Sequence, residues 1–263
     1  EFVEDEEAGM GRIAEDGTKA GAGGQMAEVQ LAAELARGRK REAMQDLEAL
    51  DRSAQQAGRL QTFADALWRV RNALSDMGAT DELVRVVERS VEITGEADSD
   101  WSIPPALYDA GRIARAREIQ AAQSKRHGAD QMYAGMMGPA SDAAAAMARG
   151  DYQQAVEAFR RAAAYEAGNP FISLGRGRAL LGAGRVDEAI EAFRRAMDNR
   201  YSAEPSALHP AGHIWLARAY AKKGDVEAAR RAYDEAFAFW KDADPDIPLL
   251  VQARTEYAAL KAR

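Results

Sequence analysis

The chain has 263 residues, is 47% hydrophobic and 29% charged, and carries a formal net charge of −7. That is enough apolar material for one elongated or two compact domains, while the interspersed charges exclude the basic face that a nucleic-acid backbone binder requires. The absence of cysteine excludes disulfides, thiolate metal sites and a cysteine nucleophile, and no apolar run approaches the ~20 residues that span a bilayer.

Alanine dominates the apolar half, and β-branched and aromatic residues are scarce, which favours helices over strands. The first element, residues 1–24, holds the acidic run Glu4 to Glu7 and the Gly/Ala-rich run Gly17 to Gly24, and is expected to be a flexible lead-in. The chain opens on Glu1 rather than Met, so processing or truncation is expected. A bacterial cytoplasmic setting and, after signal-peptide removal, an extracytoplasmic one both stay open.

From residue 25 onward the pattern predicts helical hairpins near 25–57, 62–95, 98–124, 136–167, 170–200 and 210–240. In the first, Gly38, Lys40, Ala43, Leu47 and Leu50 set a series of offsets that Gly78, Thr80, Leu83, Val87 and Ser90 repeat. Gly111, Ile113 and Ala116 keep only its start, and Pro104-Pro105 must begin or interrupt a helix there. The series is sharpest in the last three hairpins. Gly150, Tyr152, Ala155, Phe159 and Ala162 align with Gly184, Val186, Ala189, Phe193 and Ala196, and with Gly224, Val226, Ala229, Tyr233 and Ala236. Each position has a physical role. The glycine ends one helix in a left-handed conformation, the first alanine lets two helices approach closely, and the aromatic side chain one turn on fills the core. Small residues Gly177 and Ala217 hold equivalent places in the preceding helices. A long loop is expected from Tyr201 to His209, and after Pro248 an amphipathic helix bearing Leu249, Ala253, Tyr257 and Leu260 is expected to cap the last hairpin.

The glycine, alanine and aromatic offsets, with 34 residues from Gly150 to Gly184, resemble the tetratricopeptide repeat. The resemblance implies an all-α, right-handed solenoid of about six hairpins plus a C-terminal capping helix. Residues 25–135 would form degenerate hairpins, 136–240 three clear repeats and 241–263 the cap. Over about residues 100–260, the Phe239 to Leu260 stretch and the run Ala162 to Arg178 are similar to the repeat regions of bacterial signalling proteins, which commonly follow a serine/threonine kinase or winged-helix domain. No Gly-rich loop with a strand lysine, H-R-D or D-F-G motif is present in the chain itself.

In a tetratricopeptide register the first helix of each hairpin lines the concave face. The resemblance therefore places Trp68, Arg69 and Asn72 of the second hairpin there. From the later hairpins it adds Ala140, Ala144, Met147, Phe171, Leu174, Arg178, Leu181, Ile214, Trp215, Arg218 and Lys222. The reading singles out Trp68, Arg69, Asn72, Met147, Phe171, Arg178, Trp215, Arg218 and Lys222 as partner-binding residues. An apolar strip beside the cations Arg178, Arg218 and Lys222 suits an acidic or amphipathic peptide. The carboxylate clamp of some family members is not reproduced, since its positions carry Leu174, Gly175, Ile214 and Trp215.

His209 and His213 have metal-ligand spacing, but Pro210 and Gly212 between them favour a loop leading into a helix. Gly21-Ala-Gly23-Gly24 lacks the strand and the Lys-Ser/Thr of a phosphate loop. No nucleophile–base pair assembles, so no enzyme, cofactor or metal is expected. The expected function is a scaffold that binds a peptide or protein on the concave face. The alternative is a structural protein that self-associates head to tail into a homo-oligomer or filament.

Overall fold

Among the described residues eight glycines adopt positive φ, and six of them, Gly38, Gly78, Gly111, Gly150, Gly184 and Gly224, sit at the corners that the offsets mark. At each corner the glycine N–H and the next N–H bond back to the closing turn of the first helix. Examples are Arg185 N–H to Leu180 O at 2.9 Å and Asp151 N–H to Ala146 O at 2.9 Å. This double bond pattern satisfies the orphan carbonyls of a helix end, and it turns the chain sharply into an antiparallel partner. Asp151 and Asp225 then cap the next helix by accepting from Gln154 N–H and Ala228 N–H.

The computed structural model describes residues 22–198 and 207–261. Among these there are thirteen α-helices and no strand. They are α1 (Ala22–Ala36), α2 (Lys40–Ala57), α3 (Leu60–Met77), α4 (Thr80–Thr94), α5 (Ile103–Asp109), α6 (Ile113–His127), α7 (Gly138–Met147), α8 (Tyr152–Arg161), α9 (Pro170–Gly182), α10 (Val186–Met197), α11 (Leu208–Lys223), α12 (Val226–Phe239) and α13 (Pro248–Lys261). A π-helical turn, Tyr133–Met137, leads into α7, and a 3-10 segment, Ala163–Gly168, follows α8. The helices pair consecutively into six hairpins with α13 behind the last, an all-α solenoid. The expected lead-in and the expected Tyr201 to His209 loop fall largely outside the described residues.

The repeat positions form the core. Ala155, Ala189 and Ala229 are fully buried, as are Ala162, Ala196 and Ala236, and Phe159, Phe193 and Tyr233 fill the space between helices. Small residues on neighbouring helices make that space: a Cβ on Gly177 would stand 2.5 Å from the Phe193 ring, and one on Gly175 would stand 2.6 Å from Phe159. A methyl group at either point forces the aromatic off its seat.

The first three hairpins use charge where the last three use alanine and aromatics. Lys40, at the place held by Tyr152 or Val186, is buried and donates to Glu82 at 2.7 Å. Arg71 is fully buried; it donates to Asp100 at 2.8 Å and also to Ser102 Oγ. Pro104 and Pro105 start α5 and leave it only seven residues long. The chain before it, residues 95–102, is held by Gln123, which donates to Ser99 O and Asp100 O at 3.1 Å.

The solenoid also returns upon itself. The Trp240 indole N–H donates to Ala36 O at 3.2 Å, Asp244 N–H donates to Gly38 O at 3.0 Å, and Arg41 N–H donates to the Asp244 carboxylate at 2.8 Å. A Cβ on Gly38 would lie 2.6 Å from Ala243 Cβ, so the turn after α1 fits the segment after α12 only because it is bare. Helix α3 crosses inside this closure and touches both α11 and α13.

Candidate functional site

Beside the short α5 lies a cavity of about 620 Å³. That size lies within the range of pockets that hold small ligands or peptide side chains. Three groups of elements wall it. Helix α3 contributes Trp68, Asn72, Ser75 and Asp76; the segment before α5 contributes Asp98 to Ser102; and α7 and α9 contribute Met147, Phe171, Leu174 and Arg178. The π-helical turn adds Met136 and Met137. An extra residue in a helical turn re-aims the side chains that follow, and here it directs two flexible thioethers to the cavity wall.

Trp68, Asn72 and Asp76 follow at intervals of four, so they form one stripe on α3, about 12 Å from end to end. Trp68 keeps 39% of its surface exposed, the largest side chain of the chain left so uncovered. Asn72 makes no side-chain hydrogen bond to another described residue. Asp76 as a whole stays partly exposed, but its Oδ2 is buried without a donor. Burial pushes its pKa up to about 7; the Arg178 charge opposes that shift and Asp109 adds to it.

Arg178 donates twice to Asp109, at 2.6 and 3.1 Å. Burial works against its charge, but Asp109 and Asp76 outweigh that and raise its pKa above the usual arginine value. The guanidinium also stands 5.1 Å from the ring centre of Trp215, whose ring lies 4.5 Å from the Arg218 guanidinium. Arg218 in turn donates to Glu256 at 2.9 Å and to Gln252 at 3.1 Å, and Glu256 accepts from the Tyr233 hydroxyl at 2.6 Å. A continuous polar chain thus runs from the cavity through Arg178, Trp215 and Arg218 into α13.

The structure therefore separates the sequence-predicted residues. Trp68, Asn72, Met147, Phe171 and Arg178 line the cavity, along with Ala140, Ala144 and Leu174. Trp215 and Arg218 lie behind Arg178, against the capping helix, and Lys222 donates to Leu181 O at 2.9 Å. Arg69, the neighbour of Trp68, is not among the lining residues. The cationic rim expected for an acidic peptide is taken up within the chain: Asp109 holds Arg178, Glu256 and Gln252 hold Arg218, and Leu181 O accepts from Lys222. Sequence reasoning missed Asp76, Asp109 and the Asp98 to Ser102 wall. Asp76 was within reach of it, since it continues the Trp68, Asn72 spacing by one more turn.

His209 and His213 both stack on Phe239, at 6.1 and 5.7 Å between ring centres, and His213 faces Glu235 at 2.9 Å. Burial holds both imidazoles below the usual histidine pKa. Among the described residues no group of three or more potential metal ligands converges, and no helix is long and apolar enough to cross a membrane.

Family models of the tetratricopeptide repeat match residues 146–209 and 211–238. The matches fall where glycine, alanine and aromatic side chains recur most regularly, and the first three hairpins lie outside them. Repeats of this family generally mediate protein–protein interactions and are typically scaffolds without catalytic activity. No curated protein matches the chain.

Proposed function

We propose that this protein is an interaction module that seats an extended segment of a partner protein in the concave cavity. The observation that carries this reading is the cavity's lining. Exposed Trp68, half-buried Phe171 and three methionines stand beside a few polar groups, the mixture that anchors peptides. Apolar side chains of the partner would lose water against the aromatic and thioether wall, and Asn72 offers an amide to its backbone. Head-to-tail self-association is disfavoured, because the turn after α1 and the segment after α12 bind each other within one chain.

Selection of peptides from a displayed random library, followed by calorimetry, tests the reading. The double variant Trp68→Ala, Phe171→Ala is expected to weaken selected peptides by at least about tenfold, as loss of two anchors implies. Unchanged affinity would refute a cavity-based site. Trp215 and Arg218 are unsuitable for this test, since their removal disturbs the contact with α13.

A further inference from the structure

The charge inside the cavity specifies the partner more closely than the presence of a peptide site does. Four carboxylates reach its wall: Asp76, Asp98, Asp100 and Asp109. Three have partners. Asp100 takes the Arg71 guanidinium at 2.8 Å, Asp98 lies 3.2 Å from His127 and 3.4 Å from Arg126, and Asp109 takes both arms of Arg178. Asp76 alone has a buried oxygen with no donor, and the nearest compensating charge is the same Arg178 that Asp109 already holds. One guanidinium thus faces two carboxylates, and Asp76 is left without a donor of its own. A buried acceptor without a donor is costly, and a ligand that brings a donor removes the cost.

Resting on the peptide-binding reading above, we propose that the cavity selects a partner segment carrying a lysine or arginine, whose cationic head bonds Asp76 while an apolar residue three or four positions away packs on Trp68. The spacing follows from the stripe on α3. Eight residues of helix separate Trp68 from Asp76, about 12 Å, which an extended peptide spans in three to four residues at about 3.3 Å each. Asn72 stands midway, where a peptide backbone would pass. Arg178 does not repel the incoming cation decisively, because Asp109 neutralises it at hydrogen-bond distance.

Three capped tetrapeptides test the proposal by calorimetry: acetyl-Leu-Ala-Ala-Lys-amide and its counterparts ending in norleucine and glutamate. The lysine peptide is expected to bind the unmodified protein about tenfold or more tighter than either counterpart, the value of one charge-assisted hydrogen bond. Asp76→Asn should abolish that preference, and a thermal melt followed by circular dichroism reports that the variant is folded. The comparison of three peptides on the unmodified protein stands without any variant. Equal affinities, or a preference for glutamate, would overturn the proposal and leave the peptide site intact. If library-selected peptides and all three tetrapeptides fail to bind, the peptide-binding reading itself falls, and this inference with it.

Discussion

The two halves of the solenoid solve the same packing problem with different chemistry. From α7 to α12, helices approach through glycine and alanine, and a buried aromatic closes each gap, as Phe193 does over Gly177. From α1 to α6, ion pairs take over part of that work: Lys40 with Glu82, Arg71 with Asp100, Arg89 with Asp51 and Arg115 with Glu88 and Glu96. Small-to-aromatic packing gives a regular wall. Charge-mediated packing tolerates a helix as short as α5, and the space that α5 vacates becomes the cavity. The polar side of that cavity comes mainly from the irregular half and the apolar side mainly from the regular one.

The sharpest way to break this comparison is to remove one element of each kind. Phe193→Ala should cost about 3–5 kcal/mol in a denaturant titration, the usual loss for a buried aromatic whose site cannot collapse. Arg71→Ala should cost about 3 kcal/mol, because it empties the fully buried guanidinium site and removes the charged partner of Asp100. Here a replacement of both partners by neutral residues of similar size should recover most of the loss. If Arg71→Ala proves neutral, the charged half is not held by its ion pairs.

Asp76 offers a pH test of the boundary between the halves. Its folded pKa, about 7, lies above the usual aspartate value, so the folded state binds the proton more tightly than the unfolded one. Its contribution to stability is therefore full below about pH 4 and is lost as pH rises through about 7. The difference between the unmodified protein and Asp76→Asn should shift by on the order of 2 kcal/mol across that window. A flat difference would mean that Asp76 is well hydrated. The smallest contrast concerns two glycines of similar φ. Gly150→Ala adds a methyl into open space and should cost only the ~1–2 kcal/mol of a left-handed non-glycine residue. Gly38→Ala carries the same strain and also drives into Ala243, so it should cost about 1–2 kcal/mol more.

The hairpins are legible in the sequence because each corner demands a positive-φ residue and each interior demands small and aromatic partners at fixed offsets. Even the degenerate corners at Gly38, Gly78 and Gly111 keep that demand. The site is legible only in part. Trp68, Asn72, Met147, Phe171 and Arg178 follow from register, since one helix face determines them. The fate of Arg218 and Lys222 does not, because Glu256 and Leu181 reach them through superhelical geometry that no local pattern encodes. Asp76 stays hidden for a related reason. A carboxylate at helix-surface spacing reads as solvated until the fold sets it against Asp109 and Arg178.

The closure between the turn after α1 and the segment after α12 joins the two ends of the described solenoid, so it is the claim to test most directly. The chain has no cysteine, so Glu42→Cys, Asp242→Cys can carry two nitroxide labels without competing sites. Double electron–electron resonance should give a single narrow population at the short end of the measurable range. A broad distribution, or a dominant long distance, would show an open solenoid and contradict the account.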